Sequence, residues 1–133
     1  MNDCIFCKIV KGEIPAKKVY ESEKVLAFLD VNPISKGHLL VIPKKHFENI
    51  FDIDKDYLRE IISVSKETAL IIKKKLNATG VNILHASGRD AQQSVFHFHI
   101  HLVPRYKNDK LNTWPESDYK ELNAEEVMNK LKH

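Results

Sequence analysis

His97-Phe98-His99-Ile100-His101 alternates an imidazole with a large apolar side chain at every step. A strand sends successive side chains to opposite faces, whereas a helix would scatter these five around its circumference. The segment therefore demands extended backbone, with Phe98, Ile100 and Leu102 turned into a core and three imidazoles sharing the other face. The pattern predicts a strand from Val95 to Val103. Imidazole is the side chain that exchanges protons near pH 7 without special tuning. Three in a row can form a nucleophile with its supports, a metal site, or three half-exposed polar residues on a sheet; their strict period argues against the last.

The remaining pattern supplies partners for such a strand. Cys4 to Val10 reads as a short helix stopped near Gly12 and Pro15. Lys18 to Glu21 and Val25 to Leu29 read as strands joined by a Glu-Ser-Glu-Lys turn, and His38 to Ile42 as an apolar strand ended by Pro43. Asp54 to Leu76 is the clearest helix, with Leu58, Ile61, Ile62, Val64, Ala69, Ile72 and Leu76 as its apolar stripe and Asn77 and Gly80 as its stop. Val81 to Leu84 is a further strand, and residues 86–93 form a polar loop. Asn123-Ala124-Glu125-Glu126 resembles a capping box before a final short helix. This order, without repeats or a dividing linker, indicates one antiparallel α+β domain over residues 1–133. Its core runs over about 4–106, and the tail 107–133 contributes to a pocket rim or a dimer. A sheet of few strands also leaves an edge needing cover, which suits a dimer.

The charge balance, 21 basic against 18 acidic residues, is only +3. Lys8, Lys11, Lys17 and Lys18 can form a local patch, but nothing here supports specific nucleic-acid binding. No apolar run is long enough to span a membrane, and the first residues lack signal-peptide character, so a cytoplasmic location is expected. The two cysteines, Cys4 and Cys7, stand at CxxC spacing, open to redox, metal or accidental readings. HExxH, Walker A, Rossmann glycine and GxSxG patterns are all missing. Ser94, just before the histidine strand, could serve a Ser/His/acid hydrolase or donate to a phosphate or leaving group.

Three runs together resemble the histidine-triad (HIT) superfamily, specifically small bacterial hydrolases of its nucleoside phosphoramidase-like branch. They are Cys4 to Ile9 with Glu13-Ile14-Pro15, Phe28 to Pro33 followed by Gly37 to His46, and Gln93 to Arg105. The resemblance implies a HIT-like fold, an antiparallel sheet with one long helix and short terminal helices, continued across a homodimer. It implies an enzyme that attacks the α-phosphorus of a purine nucleotide conjugate, cleaving a phosphorus–nitrogen or phosphoanhydride bond. His99 is then the nucleophile, forming a nucleotidyl–imidazole intermediate that water releases. His101 and His38 support the phosphate site, and Ser94 hydrogen-bonds near the scissile bond. Asp30 binds ribose hydroxyls, with Phe28, Gln93, Ser94, His99 and His101 also on the nucleotide. Imidazole attack splits one displacement into two easier ones and requires no catalytic metal. The same resemblance implies a separate structural Zn2+ held by Cys4, Cys7, His46 and His97, a closed Cys2His2 site.

Two positions depart from the family pattern. Ala86 stands where an amide residue is common, and Gln92 where glycine precedes the glutamine. They bear on substrate preference and rate. His85, beside the polar loop, is read as structural or solvated rather than as a pocket-rim residue, His133 as inert, and Trp114 as either a surface or interface anchor or a residue reaching an active site across a dimer. Competing functions are dinucleoside polyphosphate hydrolysis, nucleotidyl transfer to another acceptor, and a non-catalytic, zinc-stabilised nucleotide-binding interaction module.

Overall fold

Strands β2 (Val25–Leu29) and β3 (Leu39–Pro43) are apolar at almost every position, as expected of strands covered on both faces. The structure, a computed structural model, describes residues Asp3 to Lys132; His133 lies outside them. With β1 (Lys18–Glu21), β4 (Gly80–Leu84) and β5 (Ile100–Arg105), these strands form one antiparallel sheet in the order β1-β2-β3-β5-β4.

Alternation along the strands divides the interior in two. Val25, Ala27, Leu39, Val41, Ile100 and Leu102 turn to one face and pack on the long helix α2 (Lys55–Leu76) through Ile61, Val64 and Ile72. Leu26, Phe28, Leu40 and Ile42 turn to the other, where Phe6 and Ile9 of α1 (Ile5–Val10) cover them. The α+β class, the antiparallel sheet and the long helix are as the sequence indicates. The helix stripe is narrower than expected: Ile62 is half exposed, while Ser65 and Thr68 are buried. Ile62 lies about 100° round the helix from Ile61, off the buried stripe. Ser65 satisfies its hydroxyl by donating to the Ile61 carbonyl at 2.7 Å.

The histidine strand also needs correction, because its ladder begins at Ile100 rather than Val95. On one side β4 ends at Leu84, opposite His101; on the other, β3 ends at Pro43, which has no N–H to donate. Residues 95–99 therefore leave the sheet, and Phe98 N–H donates instead to the Phe47 carbonyl at 2.7 Å. The alternation survives: Phe98 stays in the core on the α2 side. Gly37 turns the chain into His38 at φ +87°, and a Cβ there would lie 2.5 Å from Leu76 Cδ1. Beyond Tyr106 the chain is largely exposed, and α3 (Ala124–Leu131) buries none of its residues. Asn123 caps α3 by accepting from Glu126 N–H at 3.1 Å. No described helix is long and apolar enough to cross a membrane.

Candidate active site and metal centre

The face of the sheet covered by α1 carries a cleft of about 400 Å³. Its walls include Phe6, Ile9 and Ile14 from the N-terminal segment, Phe28 and Leu40 from β2 and β3, and Asp30 just past β2. Ser94, His99 and His101 complete it. Of the nucleotide and catalytic residues expected from the sequence, this brings together Asp30, Phe28, Ser94, His99 and His101. His38 is buried behind His101 and is not among the cleft-lining residues. Gln93 is also buried away from the cleft. Its amide nitrogen donates to the Glu48 and Val95 carbonyls at 2.7 and 3.0 Å, and its oxygen accepts from Gly88 N–H at 2.7 Å. Gln93 thus holds the loop and has no free hydrogen for a ligand.

Backbone partners assign the histidine tautomers. The His99 Nδ1–H donates to the His97 carbonyl at 2.8 Å, leaving the Nε2 lone pair free. Ile34 N–H donates to His38 Nδ1 at 3.1 Å, so the His38 hydrogen sits on Nε2. From there it points at His101 Nδ1, 3.0 Å away, with Asp30 Oδ2 at 3.5 Å. His101 in turn carries its hydrogen on Nε2. The cleft therefore presents a bare nitrogen on His99 and a neighbouring imidazole whose donor faces outward from the His38 contact. Their ring centroids are 5.0 Å apart. Burial holds His99 and His38 below the ordinary imidazole value. Burial, reinforced by neighbouring His99 and His38, pushes His101 down to about 4. All three are thus neutral near pH 7. Asp30, His38 and His101 also cluster closely enough to suggest a cation site. The hydrogen on His38 Nε2 removes that ligand.

A second constellation adjoins the first. The donor atoms of Cys4, Cys7, His46 and His97 all lie within 4.8 Å of one another. Cys4 Sγ lies 3.3 Å from His97 Nδ1, Cys7 Sγ 3.4 Å from His46 Nδ1, and the two Nδ1 atoms 3.1 Å apart. Zinc bonds of ~2.0 Å to nitrogen and ~2.3 Å to sulfur place tetrahedral donors roughly 3.3–3.8 Å apart, close to what is found. His97 Nε2–H donates to the Pro43 carbonyl at 2.8 Å, which leaves Nδ1 as the ligand. Burial, then the hydrogen bond with Cys4, pushes the Cys7 thiol up to about 11, so a bound metal must displace its proton. These four residues form a Cys2His2 site suited to structural zinc, and His97 belongs to it rather than to the cleft.

Phe6 was not singled out by sequence reasoning, yet it joins the two sites. It sits inside the CxxC, and its ring meets His97 and His99 edge-on at centroid distances of 5.8 and 5.3 Å. The signal was available, since two cysteines closing on one ion restrict the direction of the residues between them. His85, read as structural or solvated, donates from Nδ1 to the His99 carbonyl at 2.8 Å. Gln92 adopts left-handed backbone, φ 72°, which explains why glycine is favoured at that position. Trp114 is exposed. Ala86 is partly buried, and its methyl offers no hydrogen bond.

A family model described as "HIT domain" matches residues 11–108. A HIT-like protein of Methanocaldococcus jannaschii is 47% identical over 129 residues, covering 97% of this chain and 98% of that protein. An adenosine 5'-monophosphoramidase of Candida albicans is 45% identical over 106 residues, 77% of this chain and 70% of that protein. Among solved structures, a zinc-bound histidine triad family protein from Mycobacterium smegmatis superposes with a TM-score of 0.81 at 39% identity, covering 88% of this chain and 85% of that one.

Proposed function

This chain belongs to the HIT family, and on that premise we propose that it hydrolyses purine nucleoside phosphoramidates, or related nucleotidyl conjugates, through a nucleotidyl intermediate on His99. It is a HIT-family hydrolase of phosphorus–nitrogen or phosphoanhydride bonds. The observation that carries the finer reading is the His99 ring itself: its Nδ1–H is spent on the His97 carbonyl, and its free Nε2 belongs to a residue lining the cleft.

In this mechanism His99 Nε2 attacks the α-phosphorus of the N-protonated phosphoramidate, and the phosphorus–nitrogen bond breaks with its electron pair leaving on nitrogen as a neutral amine. The His97 carbonyl accepts from Nδ1–H throughout and so steadies the positive charge that develops on the ring. His101 Nε2–H supplies a hydrogen bond to the phosphoryl oxygens or the departing amine, with His38 fixing its tautomer from behind. Ser94 donates beside the scissile bond. Water then displaces the nucleotide from His99, yielding the nucleoside monophosphate and regenerating the imidazole. Asp30 takes the ribose hydroxyls, and Phe28 lies under the nucleoside.

Zinc fits Cys4, Cys7, His46 and His97 and would supply a cross-link rather than chemistry. A closed four-ligand site has no open position for substrate. Two free thiols at such a site suit a reducing cytoplasm.

The reading includes a homodimer whose sheet continues across the free edge of β4. Ile83 of β4 and Leu70 beside Gly80 and Val81 are exposed at that edge and need cover. Arg105 pairs with Asp109 at 2.8 Å and also holds Asn82 on β4, which starts the tail at this same edge. The tail is thereby aimed at a second subunit, where Trp114 would reach a pocket rim. The residues 1–133 act as one domain in this reading. Light scattering of the purified protein should return a dimer mass; a monomer would refute this part.

The phosphoramidate reading is preferred to dinucleoside polyphosphate hydrolysis because the cleft lies near the small end of the ~300–1,000 Å³ range for small-molecule sites. Turnover of adenosine phosphoramidate should exceed that of diadenosine polyphosphates, and His99→Ala should abolish both. The opposite preference would refute the substrate assignment, and binding without turnover of either would favour a non-catalytic module.

A further inference from the structure

His85 stands one residue past the end of β4, where the ladder to β5 stops at Leu84 and His101. Its imidazole is engaged at both nitrogens by partners that leave one arrangement of hydrogens. Ile50 N–H donates to Ser87 Oγ at 2.9 Å. The Ser87 hydroxyl hydrogen is then free to donate to His85 Nε2, 2.5 Å away. That puts the His85 hydrogen on Nδ1, which donates to the carbonyl of His99 at 2.8 Å. The ring lies flat on Phe98, centroids 4.4 Å apart and planes 28° from parallel. An imidazole thus takes over from the sheet where the sheet ends, and grips the peptide unit of the residue whose side chain reacts.

We propose that His85 is a positioning residue for the nucleophile His99, with Ser87 bracing the far side of its ring. This deepens the catalytic reading above and rests on it. His99 is held at two points: its side chain by the His97 carbonyl and its main chain by His85. Residues 95–99 have left the sheet, so no ladder performs this task for His99. The Ile50–Ser87 contact ties the loop after β4 to the loop after β3, which also carries His46. Ala86 has no hydrogen-bonding side chain, and its two neighbours make these contacts instead. The effect is on orientation, so it belongs in kcat rather than in nucleotide binding.

Three measurements test the proposal. Asparagine can place an amide N–H where Nδ1–H now lies, whereas leucine fills the space without a donor. With adenosine phosphoramidate, His85→Leu should lower kcat about tenfold with little change in KM. His85→Asn should recover most of that loss. Equal losses in both variants, no loss in either, or a loss confined to KM would overturn the proposal. Long-range 1H–15N spectra of the zinc-loaded wild type should show His85 protonated at Nδ1, and Ser87→Ala should keep that tautomer, because the His99 carbonyl can only accept. Protonation at Nε2 in the wild type would also overturn it. The tautomer needs no substrate, so it decides the hydrogen-bond arrangement even if the wild type turns over nothing, an outcome that would count against the nucleophile itself.

Discussion

Removing the metal should unfasten α1 and, with it, one wall of the cleft. α1 has six residues, too few to persist as an isolated helix. It is held by the burial of Phe6 and Ile9, at 7% and 6% exposure, and by the ion that joins its cysteines to His46 and His97. Burying these two side chains contributes up to about 3–6 kcal/mol. Without the metal, α1 must leave a neutral thiol and two imidazole nitrogens crowded in a buried space, so a substantial part of that gain is lost. A loss of about 3 kcal/mol corresponds to a melting point lower by roughly 10 °C in a domain of this size. The assay compares zinc-loaded protein, chelated protein shown metal-free by elemental analysis, and chelated protein given zinc back. Hydrogen exchange should show the amides of residues 5–10 losing protection ahead of α2. Activity should fall along with them, because Phe6 packs against His99. Cys7→Ser should reproduce the chelated state. An unchanged melting point and intact protection of α1 in protein verified as metal-free would refute this reasoning.

Other perturbations follow from the same geometry. The nucleophile must be neutral, and burial holds His99 below the ordinary value of 6.5, so the acid limb of kcat/KM should lie below 6.5; an acid limb at or above 6.5 would contradict the buried site. Burial, with His99 and His38 beside it, pushes His101 down to about 4 in the folded protein, while the unfolded chain takes up that proton near 6.5. The stability it contributes is full above 6.5 and drains away as pH falls toward 4, by about 1.4 kcal/mol per pH unit, as denaturant titrations at several pH values can show. Phe98→Ala should cost about 3–5 kcal/mol in urea unfolding, since the ring is 1% exposed against α2 and His85. Gln92→Gly should raise stability by about 0.5 kcal/mol by relieving left-handed backbone, net of the added flexibility of the unfolded chain.

Much of this was legible in the residues. Hydrophobic period located β2 at its observed bounds and α2 to within a residue, because these elements bury continuous stripes; β1 is exposed at all four positions, and it was the turn before β2 rather than an apolar pattern that marked it. The separation of Phe98 and Ile100 from the imidazoles also followed from period alone. Period could not reveal that Val95 to His99 would leave the ladder. That depends on Pro43 lacking a donor and on β4 stopping at Leu84, both facts about neighbouring strands. The cysteine spacing invited a metal, but choosing His46 and His97 over the other histidines depended on family resemblance, since the four ligands come from three distant parts of the chain. His38 and Gln93 show the limit most clearly. Both lie in matching motifs, yet their hydrogen bonds turn them toward His101 and the 88–95 loop. A motif marks a residue as needed at a site without saying which atom it faces. Phe6 and His85 belong to the same lesson from the other direction: each acts on His99 through contacts between segments that sequence spacing does not relate.

The central claim is that His99 Nε2 becomes covalently bonded to phosphorus. Zinc-loaded protein mixed with an adenosine phosphoramidate, quenched within milliseconds to seconds and kept alkaline to preserve phosphorus–nitrogen bonds, can be digested and read by mass spectrometry. An adenylyl group on the peptide bearing His99, localised to that residue and missing in His99→Ala, is the expected result. Turnover with no adduct at any quench time, or an adduct localised to His101 or Ser94, would contradict it.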